Sequence, residues 1–412
     1  MKITLLLWSR IYFKRIYITG AKHVPQDRPV FLASNHANGF LDGVMVSALL
    51  LRKPTYIFVR GDVFKKKWAN FLLRSLKLIP IFRARDGEAR ENLANNNRSF
   101  DQVYEKFKKD KVVLIFPEAD AQLEKHLRPL KKGMSRIIAD MQSRENGDME
   151  VAIVPFGLNY THFKHHRNEM MLSFQAPVYL KDYEEEGGNQ RAALNRLTKD
   201  VESKIRSEMV DINKGDEEVT ETALRIVRQE RSESIFRFWI RSRARLAAEQ
   251  KATELVKQSS EDSELRAQLK TYQNSLDELG AKEVGTKPVK LWQWLFLLVF
   301  IIPSSISWLV MRWGLHFGKK LVDKRVKKDE LYESVYFGLG LFHNWLLVLI
   351  GYPVVGILWG WKGLLAWFVF RWLSIPYQQC MDIWSQAVNN RKWKAASNET
   401  RLLREALVKQ VV

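Results

Sequence analysis

Val30-Phe31-Leu32-Ala33-Ser34-Asn35-His36-Ala37-Asn38-Gly39-Phe40-Leu41-Asp42 is the stretch on which the fold turns. Its first residues form a continuous apolar run of strand length, and Val44 to Leu51 beyond it is an apolar run that reads as a helix. The stretch between them is therefore a strand-to-helix turn. On an ideal helix the His36 and Asp42 side chains would point about 240° apart. They meet only if His36 lies on the loop and Asp42 near the helix start, and Gly39 gives that loop its freedom. An imidazole oriented by a carboxylate is a general base near neutral pH. The same residues also fit a helix-capping aspartate beside a satisfied core histidine, and the pair alone does not choose between the two.

Outward from this turn, apolar runs alternate with helical patterns between residues 18 and 180, the rhythm of an α/β domain. The predicted strands are Pro29 to Ser34, Thr55 to Arg60, Leu78 to Arg83, Val112 to Phe116, Ala152 to Tyr160 and Met170 to Pro177. Ser99-Phe100-Asp101-Gln102 has the spacing of a capping box, which predicts a helix starting there and ending at Lys108 to Lys111. Residues 189 to 208 predict a closing helix. From 216 to 280 the chain is rich in Glu, Arg, Ala, Gln and Ser, with no Gly or Pro before Gly280, and long solvated helices are expected. Apolar positions such as Leu224, Ile235, Leu246, Leu255 and Leu269 hold no strict heptad, which favours a helical arm or hairpin over a coiled coil. Gly285-Thr286-Lys287-Pro288 reads as a linker.

Leu291 to Val310 and Val335 to Phe370 are long and apolar enough for a membrane, with breaks expected at Pro303 and at Gly351-Tyr352-Pro353. A basic cluster from Lys319 to Lys328 lies between them, and Arg391, Lys392, Lys394, Arg401 and Arg404 follow. A single crossing would carry the densest basic cluster to the outside, so broken or re-entrant hairpins that return the chain to its starting side are favoured. The chain thus divides into an α/β domain at 1–210, a charged helical arm at 211–288, membrane-embedded helical hairpins at 289–378 and a basic tail at 379–412.

Composition narrows the function classes. Lys and Arg total 66 against 46 for Asp and Glu, and the net charge of +20 favours an anionic partner. Of fourteen tryptophans, eleven follow residue 290 among apolar and basic residues, which favours a lipid surface. Aromatics do not alternate with basic residues on a strand platform, which argues against nucleic acid. The single cysteine, Cys380, excludes an internal disulfide and a cysteine metal cluster, and it points to chemistry facing a reducing compartment. The N-terminal apolar patch, Met1 to Trp8, is too short for a signal peptide and lacks a cleavage site. Continued through Lys14 and Arg15, it fits an interfacial helix and a helix covering a protein groove equally well.

Three further blocks carry chemistry. Leu78-Ile79-Pro80-Ile81-Phe82-Arg83 brings Arg83 to a strand end, where a guanidinium can hold a phosphate by two parallel hydrogen bonds, although a surface arginine closing an edge strand looks the same. Phe116-Pro117-Glu118 puts a carboxylate just after a buried strand, and Pro129-Leu130-Lys131-Lys132-Gly133 supplies an ammonium. Glu118 would accept from a substrate hydroxyl, or pair with Arg83 or Lys132. Pro155, inside an apolar strand, suits an edge or a pocket wall.

The order of these blocks resembles the glycerophospholipid acyltransferase superfamily, which includes glycerol-3-phosphate and lysophosphatidic acid acyltransferases. Asn35-His36 through Asp42 looks like its first motif, Ile79-Pro80 through Arg83 its second, Phe116-Pro117-Glu118 its third and Ile153-Val154-Pro155 its fourth. The resemblance covers residues 10 to 210, about half the chain. Five residues separate His36 from Asp42 where most of the superfamily has four, a spacing similar to fungal glycerol-3-phosphate and dihydroxyacetone-phosphate acyltransferases and some long bacterial members. The third block departs from the usual pattern: Ala119 stands where a glycine is usual, and no hydroxyl residue follows at 120 to 122.

The resemblance implies a mixed-sheet acyltransferase domain that moves a fatty acyl group from a thioester, on coenzyme A or acyl carrier protein, to a hydroxyl of glycerol 3-phosphate or 1-acylglycerol 3-phosphate. It implies His36 as general base and Asp42 as its orienting carboxylate, with Arg83, assisted by Lys132, on the acceptor phosphate and Glu118 positioning the acceptor or holding Arg83. No cofactor beyond the thioester co-substrate and no metal are expected. The expected partners are membrane lipid, an acyl thioester and a phosphorylated glycerol compound, with the protein at a membrane and its active site on the cytoplasmic side. The alternatives are an aminolipid acceptor, which the altered third block admits, and a non-catalytic membrane-tethering protein.

Overall fold

The computed structural model of the chain describes residues 2–50, 54–82, 89–145, 149–163, 167–185 and 188–412. Arg83, the end of one predicted strand and the expected phosphate ligand, lies outside the described residues. Two compact units divide the chain: Met1–Leu6, Tyr17–Phe163 and Met170–Met209 form the first, and Leu7–Ile16, Lys164–Glu169 and Val210–Val412 the second.

The chain opens with helix α1 (Lys2–Tyr12) and strand β1 (Arg15–Thr19). The first unit then alternates β2 (Val30–Ser34), α2 (Gly39–Leu49), β3 (Thr55–Arg60), α3 (Lys67–Ser75), β4 (Leu78–Ile81), α4 (Ala89–Phe107), β5 (Val112–Ile115), α5 (Gly133–Arg144) and β6 (Ala152–Tyr160), before β7 (Glu169–Phe174) and α6 (Gln190–Arg206). Its strands lie in the order β4-β3-β5-β2-β6-β7-β1. The pairs β4/β3, β3/β5, β5/β2 and β2/β6 are parallel and β6/β7 is antiparallel, so the sheet is mixed, as the resemblance implied. Parallel strands covered on both faces need continuous apolar runs. Phe31, Leu32, Val113, Leu114, Ile153 and Val154 meet that need and are fully buried. Alternate residues of these strands, Phe31, Val113 and Ile153, pack with Val103 and Phe107 of α4, Ile137 and Ile138 of α5, and Leu197 and Val201 of α6.

Two local expectations change. The helix expected to start at Ser99 starts at Ala89, and Ser99 lies inside it, its hydroxyl donating to the Asn95 carbonyl at 3.1 Å. A serine bonded one turn back satisfies itself without capping anything. Pro155 is on neither edge, since β6 runs between β2 and β7. Its missing N–H falls where the β6/β7 ladder is interrupted, between the Phe156↔Phe174 pair and the isolated Ile153↔Val178 bridge. Gly157, two residues on, lies so close to the Glu208 main chain that a Cβ would stand 2.0 Å from the carbonyl oxygen.

In the second unit the charged segment is not a solvated arm. Helices α7 (Glu217–Glu230), α8 (Ala244–Gln258) and α9 (Glu264–Glu278) bury Leu224, Ile226, Val227, Ala252, Val256, Leu269 and Tyr272. Strand β8 (Trp239–Ile240) lies next to β1, where the Ile16 N–H donates to the Phe238 carbonyl at 2.8 Å. The long apolar tracts fold as α10 (Leu291–Arg325), α11 (Asp329–Leu349), α12 (Gly351–Trp372) and α13 (Ser374–Trp393), and α14 (Asn398–Val411) closes the chain. Leu291–Val310 and the apolar part of Asp329–Trp393 are long and apolar enough to cross a membrane, by length and composition. Helix α10 runs through Pro303, whereas a break occurs at Gly360, with φ of 59° inside α12. Trp8 and Tyr12 of α1 are buried, their rings against Phe337, so this helix covers protein.

Candidate active site

The register of the sheet assembles the site. Ala33 of β2 pairs with Ile115 of β5, and Ser34 pairs with Phe156 of β6, so residues following β2 and β5 emerge side by side at the carboxyl ends of parallel strands. That edge is where open α/β sheets bind ligands. Asn35 fixes the exit of β2: its amide donates to the Leu158 carbonyl at 2.9 Å and its oxygen accepts from the Leu158 N–H at 2.8 Å. The chain then turns into α2, which begins at Gly39 with φ of 33°, and Asp42 falls in its first turn.

His36 and Asp42 meet. The His36 Nδ1 lies 2.9 Å from Asp42 Oδ2, and the same oxygen accepts from the N–H groups of Ala37 and Asn38, each at 2.9 Å. The other oxygen, Oδ1, accepts from the Tyr160 hydroxyl at 2.7 Å. Asp42 is fully buried, and four donors supply the compensation that an ionised buried carboxylate needs. Burial, reinforced by the adjacent Asp42 charge, pushes the Tyr160 hydroxyl well above its usual range, so it remains a donor. With Nδ1 directed at a carboxylate, the neutral imidazole carries its proton on Nδ1 and leaves Nε2 as the acceptor. The Phe116 ring lies against the imidazole with centroids 4.0 Å apart and planes 8° from parallel, which fixes the ring plane as well. The His36 side chain is 16% exposed, so solvent reaches part of the ring, and Nε2 is the nitrogen that Asp42 leaves uncommitted.

Glu118 is placed differently from the expectation. It is buried, its Oε1 accepts from the His36 main-chain N–H at 2.8 Å, and its Oε2 accepts from Arg128 Nε at 2.7 Å. Its ion-pair partner is Arg128, and neither Lys132 nor, among the described residues, any other cation takes that place. Burial pushes the Glu118 carboxyl up, and Arg128 pulls against it. Both oxygens are thus committed to holding the loop. The loop is further clamped by Gln122, whose N–H donates to the His36 carbonyl at 3.1 Å, and by Lys131, whose N–H donates to the Pro117 carbonyl at 2.8 Å. Lys132 is exposed at the residue before α5. Phe82, the described residue next to Arg83, has its N–H and carbonyl gripped by the Asn96 amide at 2.8 and 2.7 Å, at the same sheet edge.

Sequence reasoning gave no role to Tyr160, Arg128 or Phe116. Phe116 and Tyr160 close predicted strands, and that position was their only signal. Arg128 had none, because its approach depends on how residues 119 to 127 fold back.

Residues 15–159 match the model of the family described as Acyltransferase. This segment is an acyltransferase-family domain. The match spans all four blocks. A comparison with curated proteins finds no match. Among solved structures, the 1-acyl-sn-glycerophosphate (LPA) acyltransferase from Thermotoga maritima is similar at 17% identity and a TM-score of 0.33, over 48% of this chain and 78% of that one.

The acyltransferase domain adopts an unusual conformation where its third block departs from the usual pattern. Ala119 has φ of 73°, and its N–H donates to the Phe116 carbonyl at 3.1 Å. Left-handed backbone costs an L residue about 1–2 kcal/mol, a penalty that glycine avoids at an entropic cost of about 0.5–1 kcal/mol. Ala119→Gly is therefore expected to stabilise the domain by up to about 1.5 kcal/mol, read as a higher urea midpoint. A lower midpoint would mean that the alanine methyl packs productively.

Proposed function

We propose that the protein transfers a fatty acyl group from an acyl thioester, carried on coenzyme A or acyl carrier protein, to a hydroxyl of glycerol 3-phosphate or 1-acylglycerol 3-phosphate at a membrane surface. The observation that carries this reading is the His36 imidazole held through Nδ1 by Asp42, with Nε2 left to a substrate. Nε2 takes the proton of the acceptor hydroxyl as its oxygen attacks the thioester carbonyl. The C–S bond then breaks, and the imidazolium returns the proton to the leaving thiolate. Asp42 stabilises the imidazolium without itself taking the proton. Glu118 acts through the His36 main chain, as a positioning residue.

Arg83 remains our choice for the acceptor phosphate. Strand β4, which precedes Arg83 in the sequence, is three strands from β2, roughly 14 Å at ordinary strand spacing, a distance within the span of an extended acceptor. Arg83→Ala is expected to raise the KM for a phosphorylated acceptor by at least about tenfold while leaving the KM for the thioester nearly unchanged. Equal effects on both would remove the phosphate from this position. An aminolipid acceptor is the second reading, which the altered third block at Ala119 admits.

The deciding experiment incubates the purified full chain with labelled acyl-CoA and acyl carrier protein thioesters. The acceptors are glycerol 3-phosphate, 1-acylglycerol 3-phosphate and an aminolipid, with products read by mass. An acylated glycerol phosphate supports the proposal. An acylated aminolipid alone moves the acceptor, and no thioester consumption with any acceptor points to a non-catalytic scaffold.

A further inference from the structure

Helix α10 exposes one apolar stripe over nearly its whole length. Leu291, Leu298, Ile302, Leu309, Trp313 and Phe317 recur at helical spacing and are all open, while Ser304, Ser307, Trp308 and Val322 on the other face are buried. From Leu291 to Leu321 the stripe is about 45 Å long at 1.5 Å per residue, against a hydrocarbon layer of about 30 Å.

Other parts of the second unit pack against this helix at its start, middle and far end. At its start, Phe236 lies 5.4 Å from Trp292 and 5.1 Å from Phe296, ring to ring. Along its middle runs α13, joined to α10 by the Trp308–Tyr377 stack at 5.2 Å. That helix is in turn tied by Asp382 to Arg167 at 2.5 Å and by Gln379 to the Ile235 carbonyl at 3.0 Å. Toward the far end α11 packs on α10 where Gly318 approaches Leu339, and α11 is bound to α1 by the Tyr12–Glu333 hydrogen bond and by Phe337 among Trp8, Tyr12 and Phe13. A bilayer perpendicular to α10 and centred on it would take in the α13 contacts, among them the Asp382–Arg167 ion pair, and Asp382 is in turn within electrostatic reach of Arg15, which pairs with Glu169 at 2.5 Å, as Arg245 does at 3.1 Å. Burial alone would push the Glu169 carboxyl up, but Arg245 and Arg15 together bring it down to about 2, so this cluster stays charged.

Neither leg of α12 is long enough to cross by itself. The helix folds back at Gly360, and the two legs close on small residues. A Cβ on Gly351 would meet Trp367 at 2.7 Å, and one on Gly356 would meet Leu364 at 3.1 Å. Legs of that length reach about 13 and 18 Å, and the tip is Trp359, Trp361 and Lys362, residue types that favour the headgroup level. Both ends of α10 are basic, with Lys287 and Lys290 before it and Lys319 to Lys328 at and after its end. A crossing would strand one of these clusters on the far side, whereas an anionic leaflet attracts both.

We propose that α10 and the α12 hairpin lie flat in one leaflet of an anionic bilayer, as an in-plane apolar layer whose other face is the packed second unit, and that the chain does not cross the membrane. This rests on the membrane attachment proposed above and is independent of the acyl chemistry. The test places single cysteines by Lys290→Cys and Lys327→Cys in a Cys380→Ser background of the full chain. Sealed inside-out membrane vesicles from an expressing bacterial host are then treated with a membrane-impermeant maleimide. Both positions are expected to react equally before and after the vesicles are opened. Reaction of either position only after opening overturns the proposal, as does failure of the protein to float with the vesicles. Acyl transfer is assayed separately on the same material, so loss of the membrane layout and loss of the activity are told apart.

Discussion

His36→Ala is expected to lower kcat/KM for acyl transfer by about 10²- to 10⁴-fold, the contribution of a positioned general base, with little change in thermal unfolding. The structural half of this expectation follows from what the imidazole leaves behind. Asp42 loses one of four donors but keeps the Ala37 and Asn38 N–H groups and the Tyr160 hydroxyl, so its charge stays satisfied. Glu118 is bonded to the main-chain N–H of residue 36, which alanine retains. The main loss in packing is the face that rested on Phe116, at a position already partly open to solvent. Steady-state thioester consumption beside a circular-dichroism melt checks both halves. Turnover like the wild type in a folded variant would end the role of His36.

Which parts of this fold were legible depends on where their determinants lie. β2, β5 and β6 were legible because burial on both faces demands a continuous apolar run, and the His36/Asp42 turn was legible because its geometry is local. Interactions that depend on how the chain folds back were not. Arg128 reaches Glu118 only after the loop doubles back, and Tyr160 reaches Asp42 from 118 residues away. The charged segment after Val210 looked solvated because Glu, Arg, Ala, Gln and Ser dominate its composition. A helix needs only one narrow apolar face to pack, and α7, α8 and α9 use theirs against one another and against α14. The left-handed backbone at Ala119 illustrates the converse: the substitution was plain in the sequence, and only the φ of 73° shows that the backbone kept the conformation glycine would favour.

Asp42→Asn tests the orienting carboxylate, and the donors around it determine how the variant settles. An amide offers one acceptor and one donor. Three fixed donors converge on the Oδ2 position, whereas Oδ1 faces the Tyr160 hydroxyl, which can rotate to accept. The amide oxygen therefore takes the Oδ2 position and its NH₂ faces Tyr160. His36 keeps the Nδ1–H tautomer, and what is lost is the negative charge that stabilises the imidazolium. In the serine protease triad the same exchange costs about 10⁴-fold because the tautomer is wrong. Here a smaller loss in kcat, about 10²- to 10³-fold, is expected. Adding Tyr160→Phe removes the hydroxyl that accepts from the new amide, so the double variant should be less stable than the sum of the two single changes. Asp42→Ala, by contrast, strands all four donors and should destabilise the domain by about 3–5 kcal/mol, as when one partner of a buried charged network is deleted. If Asn and Ala lowered kcat and stability alike, the carboxylate would be holding the turn together and no more, because only a charge acting on His36 lets the amide keep the fold while losing the rate.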